Sequence, residues 1–278
     1  ADCLPYFRKA ESWMDGGDDY RGDDGPLDTN NGNGMQNPLY RSFIDAGREA
    51  GYPLTDDYNG YRQEGFGPMH MTVSKGARCS AARAYLAPAR SRANLEVRTG
   101  VIVDRVVFEG RTATGVSFSA GGRIQTATAK REIIISAGSI GSPALLQRSG
   151  IGPAAVLQRA GVDVVHNQLG VGENLQDHLQ IRCAYKVQGV PTLNERANSL
   201  LGKFIIALEY AAFRSGPMSM APSQLGAFAK SDAALESPNL QYHVQPLTLE
   251  KFGEPCLLYT SDAADDTPCV DLGGRRII

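Results

Sequence analysis

The stretch Glu132-Ile133-Ile134-Ile135-Ser136-Ala137-Gly138 constrains the fold of this chain more than any other. An unbroken isoleucine run that gives way at once to glycine suits a strand buried on both faces, and such strands belong to parallel sheets covered by helices. The residues that follow read as helices. Ser142 is placed to N-cap the first, with Pro143 at the initial helical position where a missing N–H costs nothing, and Gly150 closes it. Gly152-Pro153 opens a second helix that Gly161 ends. Val162-Asp163-Val164-Val165 predicts a return strand, and Gly170 to His178 a polar loop leaving the sheet. Strands alternating with helices in this way indicate an α/β fold.

Upstream the pattern turns to alternation. Leu95 to Arg98, Val101 to Phe108, Thr114 to Phe118 and Ile124 to Ala127 predict a meander of short strands. Its turns fall at Glu109-Gly110 and at Gly121-Gly122, where glycine permits the positive φ of a hairpin. Residues 39 to 51 carry apolar side chains at helical intervals and close on Gly51. Further on, Thr192-Leu193-Asn194-Glu195 has the form of a capping box opening a helix with Leu201, Phe204, Ile205, Leu208, Ala211 and Ala212 on one face. Gly216-Pro217 stops it, and the apolar stripe is expected to be core.

Composition removes several function classes. Lys+Arg 28 against Asp+Glu 30 leaves a formal charge of −2 and a pI of about 6.1, so no basic field gathers nucleic acid or an anionic membrane. No apolar run approaches the roughly 18 residues that span a bilayer, and no transmembrane segment is expected. The 5 cysteines are scattered without a CxxC pair, which fits a reducing, cytoplasmic setting. With 278 residues, 42% of them hydrophobic, the chain can bury a substantial core. The expected partner is a small molecule.

Candidate chemistries narrow in the same way. Asp15, Asp18, Asp19, Asp23, Asp24 and Asp28 resemble a calcium loop, but Gly32 stands where a pattern starting at Asp28 needs a ligand, so residues 15 to 37 are expected to form a solvated loop. His70, His166, His178 and His243 lie far apart with no HExxH, so no metal site is expected and each is read as structural. The absence of Gly-x-Ser-x-Gly argues against a serine hydrolase despite the neighbouring Asp177-His178. Gly150-Ile151-Gly152-Pro153-Ala154-Ala155 has the form GxGxxA, yet a helix precedes it rather than a strand, and its glycines read as helix punctuation.

The segment Gly138-Ser139-Ile140-Gly141-Ser142-Pro143-Ala144-Leu145-Leu146-Gln147-Arg148-Ser149-Gly150-Ile151-Gly152 is similar, position by position, to the second signature of the glucose-methanol-choline (GMC) flavoprotein oxidoreductases. Leu4-Pro5-Tyr6-Phe7, Gly76 to Ala82, Val103 in its strand and Gly170 to His178 resemble the same family, in particular its choline dehydrogenase and long-chain or polyethylene glycol alcohol dehydrogenase branch. The resemblance implies part of a doubly wound FAD-binding domain over residues 1–178, the start of an antiparallel-sheet α+β substrate domain over 179–255, and FAD as cofactor. Val103 would meet the adenine end through its backbone, while Ala137 and Gly138 would pass close to the nucleotide. The implied reaction oxidises a primary alcohol to an aldehyde, a base taking the alcohol proton and a hydride passing to flavin N5.

The family's base is a His in a C-terminal segment that none of the four His here matches, and its N-terminal GxGxxG is absent as well. The chain therefore reads as the middle of an enzyme, inactive alone and without a catalytic residue of its own. Residues 256–278 resemble the translation of a sequencing-library adapter and are expected to be a non-native tail. Two positions after the His of Gln176-Asp177-His178, choline-oxidising relatives place a Glu facing the trimethylammonium group. Gln180 stands there in this chain, and a neutral amide cannot offset a desolvated cation, so an uncharged primary alcohol is expected over choline. A FAD-containing hydroxynitrile lyase of the same fold and a non-catalytic fragment stay open as alternatives. The electron acceptor, whether oxygen, a quinone or a carrier protein, leaves no mark in the residues.

Overall fold

The computed structural model describes residues 2–32, 37–190, 192–221, 223–247, 249–251 and 254–255. The stretch 256–278, expected to be a non-native tail, lies outside them. In chain order the elements are α1 (Leu4–Ala10), β1 (Glu11–Trp13), β2 (Leu27–Thr29), α2 (Pro38–Glu49), β3 (Gly65–Pro68), β4 (Val73–Ser74) and β5 (Ala77–Arg78). A π-helical turn (Ala82–Leu86) runs into α3 (Ala87–Ala89), followed by β6 (Val101–Glu109), β7 (Thr112–Ala120), β8 (Arg123–Thr128), α4 (Gly138–Arg148), β9 (Ile151–Gly152), α5 (Ala154–Arg159) and β10 (His166–Asn167). Then come α6 (Leu193–Asn198), α7 (Leu200–Phe213), β11 (Leu225–Ala229), β12 (Leu240–Val244), β13 (Leu249–Lys251) and β14 (Glu254–Pro255). The result is a mixed α/β structure with several small antiparallel sheets.

Two compact units divide it, one drawing on Ala1–Arg92 with Ile181–Ile278 and the other on Ala93–Gln180. In the first, β11 is the centre of a three-stranded antiparallel sheet ordered β12-β11-β3. The small residues of β11, Ala227 and Ala229, are buried together with Leu225, Phe66, Met69 and Met71. Helix α2 starts where Asn37 Oδ1 accepts the Leu39 N–H at 3.0 Å, with Pro38 at the first position. It can lie close on Phe66 because Gly47 has no side chain; a Cβ there would meet the Phe66 ring at 2.6 Å. Phe43 and Tyr52 complete an aromatic cluster around Phe66, with ring centroids at 5.1 and 5.6 Å.

The second unit is built on the meander β6-β7-β8, whose β7–β8 turn holds Gly121 and Gly122 at φ of 55° and 75°. A shift of register between Val103 and Arg105 frees backbone groups of β6 for α4. Ser149 at the end of α4 accepts the Val106 N–H at 2.8 Å and donates to the Leu145 carbonyl at 2.6 Å, and Arg148 Nε donates to the Asp104 carbonyl at 3.0 Å. Val106, Phe118, Leu145 and Leu157 form the buried core of this unit, each contributing about 1.5–3 kcal/mol on burial. Beyond Gly150, with φ of 87°, the short parallel pair β9–β10 forms, and Asn167 Oδ1 caps α5 by accepting the Ala154 N–H at 2.9 Å.

Several local expectations are corrected. Residues 132–136 form no strand, and Ile134 is 78% exposed. A buried strand exists only through its ladder, and no described strand pairs with this run. Leu95 to Arg98 is irregular for the same reason. Helix α4 begins at Gly138, so Ser142 is not its N-cap; its Oγ instead accepts the N–H of Ala137 at 3.0 Å, and Pro143 sits inside the helix. The return strand is confined to His166–Asn167 because the Gly150 carbonyl takes the N–H groups of both Val165 and His166. Thr192 makes no side-chain cap, and extended Ser199 splits the expected single helix into α6 and α7, accepting the Gly202 N–H at 2.9 Å. In α7, Leu201 and Phe204 are 69% and 64% exposed while Ile206 is buried. That helix is apolar on nearly every side, so its periodicity does not select the inward face.

Candidate functional site

The acidic stretch expected to be a solvated loop is mostly exposed, yet it buries Arg21 at its centre. Asp18 makes this possible: its Oδ1 accepts the N–H groups of Tyr20 and Arg21 at 2.6 and 2.7 Å, turning the chain inward. These backbone hydrogen bonds hold the Asp18 carboxyl below the usual range. Gly22 follows because a side chain would collide with the Arg8 carbonyl. Arg21 then reaches across the first unit with a side chain only 5% exposed.

Its guanidinium is engaged at all three nitrogens. Nη1 meets Glu11 Oε1 at 2.7 Å, Nε and Nη2 meet the two Asp57 oxygens at 2.8 and 2.9 Å, and Nη2 donates to His70 Nδ1 at 2.6 Å. The plane lies 4.2 Å from the Trp13 ring centre. Thr29 Oγ1 donates to the same Glu11 oxygen at 2.7 Å. Two carboxylates around one arginine satisfy a buried charge that would otherwise be prohibitive.

His70 lies between Tyr58, stacked at 4.5 Å, and Trp13 at 4.7 Å. Its Nδ1 receives hydrogen bonds from Arg21 and, at 3.0 Å, from Asn59 Nδ2. Burial, then the neighbouring Arg21, push its pKa down to about 4, against the opposing pull of Asp57. The ring is therefore neutral near pH 7. Since arginine only donates, Nδ1 must be the acceptor and the ring proton belongs on Nε2. That atom is buried and has no hydrogen-bond partner among the described residues. As arranged, His70 offers a donor rather than a base. It lines a cavity of about 660 Å³ together with Glu11, Arg21, Tyr58, Met71 and Met218.

Sequence reading missed this cluster and named Val103, Ala137, Gly138 and Gln180 instead. Val103 is half-buried in β6, and its carbonyl accepts from Arg148 Nη2 at 3.4 Å. Ala137 and Gly138 are exposed at the start of α4, where Gly138 has φ of 81° and nothing lies within 4 Å of a Cβ built upon it. No side chain caps this helix, so its first-turn amides are open donors, a chemistry that fits the phosphates of a dinucleotide. Gln180 is exposed in irregular chain after His178. Among the described residues no three His, Cys, Asp or Glu side chains converge to hold a metal ion, and no helix is long and apolar enough to cross a membrane.

Comparison with known proteins places this geometry in a family. Residues 1–180 match the family model GMC_oxred_N, described as GMC oxidoreductase. The chain is 51% identical over 254 residues to an oxygen-dependent choline dehydrogenase of Photobacterium profundum, covering 91% of this chain and 44% of that one. Among solved structures, pyridoxine 4-oxidase from Mesorbium loti superposes with a TM-score of 0.71 at 29% identity, covering 88% of this chain and 44% of the other. A FAD-dependent oxidoreductase from Chaetomium thermophilum gives a TM-score of 0.70 at 25% identity, covering 81% and 42%. The chain thus spans about half the length of the relatives it matches, and across that span it belongs to the GMC family of FAD-dependent oxidoreductases.

Proposed function

We propose that this chain contributes to an enzyme that oxidises a primary alcohol to an aldehyde with FAD, and that the uncharged alcohol is preferred over choline. The observation that carries the reading is the family match over residues 1–180, which contains the signature from Gly138 to Gly152. Within that frame residues 1–178 belong to the FAD-binding region and 179–255 to the substrate domain. Ala137 and Gly138 would hold the nucleotide through the open amides of α4, and the backbone of Val103 would meet its adenine end. When bound, FAD supplies the acceptor for the hydride at flavin N5. The three described cysteines, Cys3, Cys79 and Cys183, are free thiols, in keeping with a cytoplasmic setting.

The activity named for the Photobacterium relative makes choline the competing substrate. Gln180 argues against it, because a desolvated quaternary ammonium needs a carboxylate or an aromatic cage and an amide gives neither charge nor quadrupole. The test is anaerobic reduction of flavin, followed by loss of its visible absorbance, in a version completed to the length of its relatives. 1-Butanol is expected to bleach the flavin faster than choline at equal concentration, and Gln180→Glu to move the ratio toward choline. Choline turnover well above that of aliphatic alcohols overturns the substrate assignment. Conversion of a cyanohydrin without any bleaching by alcohols would point instead to a lyase.

A further inference from the structure

We propose that the outward face of α7 docks a second copy of this chain, the two helices lying antiparallel about a two-fold axis. The side that seats the helix is narrow: Ile206 is buried, and Gly202, Glu209 and Tyr210 around it are half-buried. Leu200, Leu201, Phe204, Ile205 and Leu208 are between 47% and 86% exposed. At about 100° a residue they fall, together with exposed Ala211 and Ala212, within one arc of about 140° that holds no polar or charged side chain. The spacing that reads as a core stripe in the sequence therefore faces outward, and no described residue covers it.

The face has both the size and the pattern that pairing with itself requires. Side chains of about 200 Å² each, exposed to this degree, present about 600 Å² of apolar surface, at the upper end of what a monomer leaves in one patch. Two such faces bury about 1,200 Å² together, which clears the roughly 1,000 Å² of a specific interface. A two-fold contact must also be self-complementary. Leu200 and Leu201 stand at the start of the helix and the small Ala211 and Ala212 at its end, so antiparallel copies centred at the level of Ile206 set large over small at both ends. Phe204 of one copy then meets Leu208 of the other across the middle. Parallel copies would crowd leucine on leucine and leave a gap between alanines. A lipid surface fits less well, because it favours basic residues beside an apolar helix face. Lys203 borders one edge here, but Glu209, held by Arg196 at 3.5 Å, borders the other. The residues assigned to flavin and substrate take no part, so the inference stands apart from the oxidoreductase reading.

Light scattering on size-exclusion fractions of the purified full chain, loaded at tens of micromolar, is expected to give the mass of a dimer. Phe204→Glu enters the contact twice and is expected to weaken association at least about a hundredfold, with the circular dichroism unchanged. Phe204→Lys and Leu208→Glu are each expected to separate the copies, and the two substitutions in one chain to reunite them, because the antiparallel arrangement sets position 204 against position 208. Should Phe204→Glu fail to fold, Leu208→Gln is the milder change and is expected to weaken association about tenfold. A monomeric chain, assembly indifferent to these substitutions, or a double variant that stays apart overturns the proposal. So does a version completed to the length of its relatives that is monomeric and loses stability on Phe204→Glu, since the rest of the polypeptide then covers the face. Binding of a monomeric chain to phosphatidylcholine vesicles, abolished by Phe204→Glu, overturns it in favour of a lipid surface. The mass needs no flavin, so its failure leaves alcohol oxidation standing.

Discussion

Replacing Arg21 with Met tests whether the buried charge cluster is held together by its arginine. The substitution keeps an apolar stem of similar length but strands Glu11 and Asp57, whose side chains are 15% and 28% exposed, facing each other without a cation. Removing one partner from a buried ionic group costs about 3–5 kcal/mol, and partial access of water to Asp57 sets the expectation near 3 kcal/mol. That is a large share of the roughly 5–15 kcal/mol that holds a domain together. With a urea dependence of about 2–3 kcal/mol per molar, the unfolding midpoint should fall by about 1 M or more. Circular dichroism is the safer probe, since Trp13 loses its stacked guanidinium in the variant and its emission changes for that reason alone. Adding Glu11→Gln and Asp57→Asn to Arg21→Met should recover about half of the loss, because amides carry no charge to strand. A shift below about 0.3 M in the single variant, or a triple variant no more stable than the single, refutes the argument.

His70 makes the first unit sensitive to acid. Its folded pKa is lowered to about 4 from the ordinary 6.5, so the unfolded chain binds the proton first and stability falls as pH drops from about 6.5 to about 4. The full loss amounts to about 3 kcal/mol, and in urea titrations across that window His70→Phe should show the smaller dependence. Two glycines of the second unit separate strain from collision. Gly161→Ala, at φ of 70° with open space around it, should cost about 1 kcal/mol, whereas Gly150→Ala also drives a Cβ to 2.5 Å from the Asp163 carbonyl and should cost about 3 kcal/mol or more by thermal melts.

Legibility in the sequence tracked the range of the interactions. The meander from Val101 to Thr128 was readable because its alternation and its glycine turns are local, and the ends of α2, α4 and α5 at Gly51, Gly150 and Gly161 were readable for the same reason. The Ile133 to Ile135 run misled, since composition records a preference for strand while only a partner makes one. Arg21 was hidden. It lies 36 residues from Asp57 and 49 from His70, and no spacing rule links such positions. The one local hint was Asp18, whose Asx turn aims the chain inward, together with the lone Trp13 as an obvious site for a cation to stack.

Because β3 pairs with β11, the first sheet closes only after the whole second unit has been made. Pro68 and its partner Leu225 emerge from a ribosome about 160 residues apart, a delay of roughly 8–30 s at ordinary elongation rates. The meander between them can fold in the meantime, its strands joined by turns of a few residues. Gly65 to Pro68 must wait with the edge that faces β11 unpaired, although α2 and Tyr52 already cover Phe66, and slower codons downstream would leave that edge open to chaperones for longer.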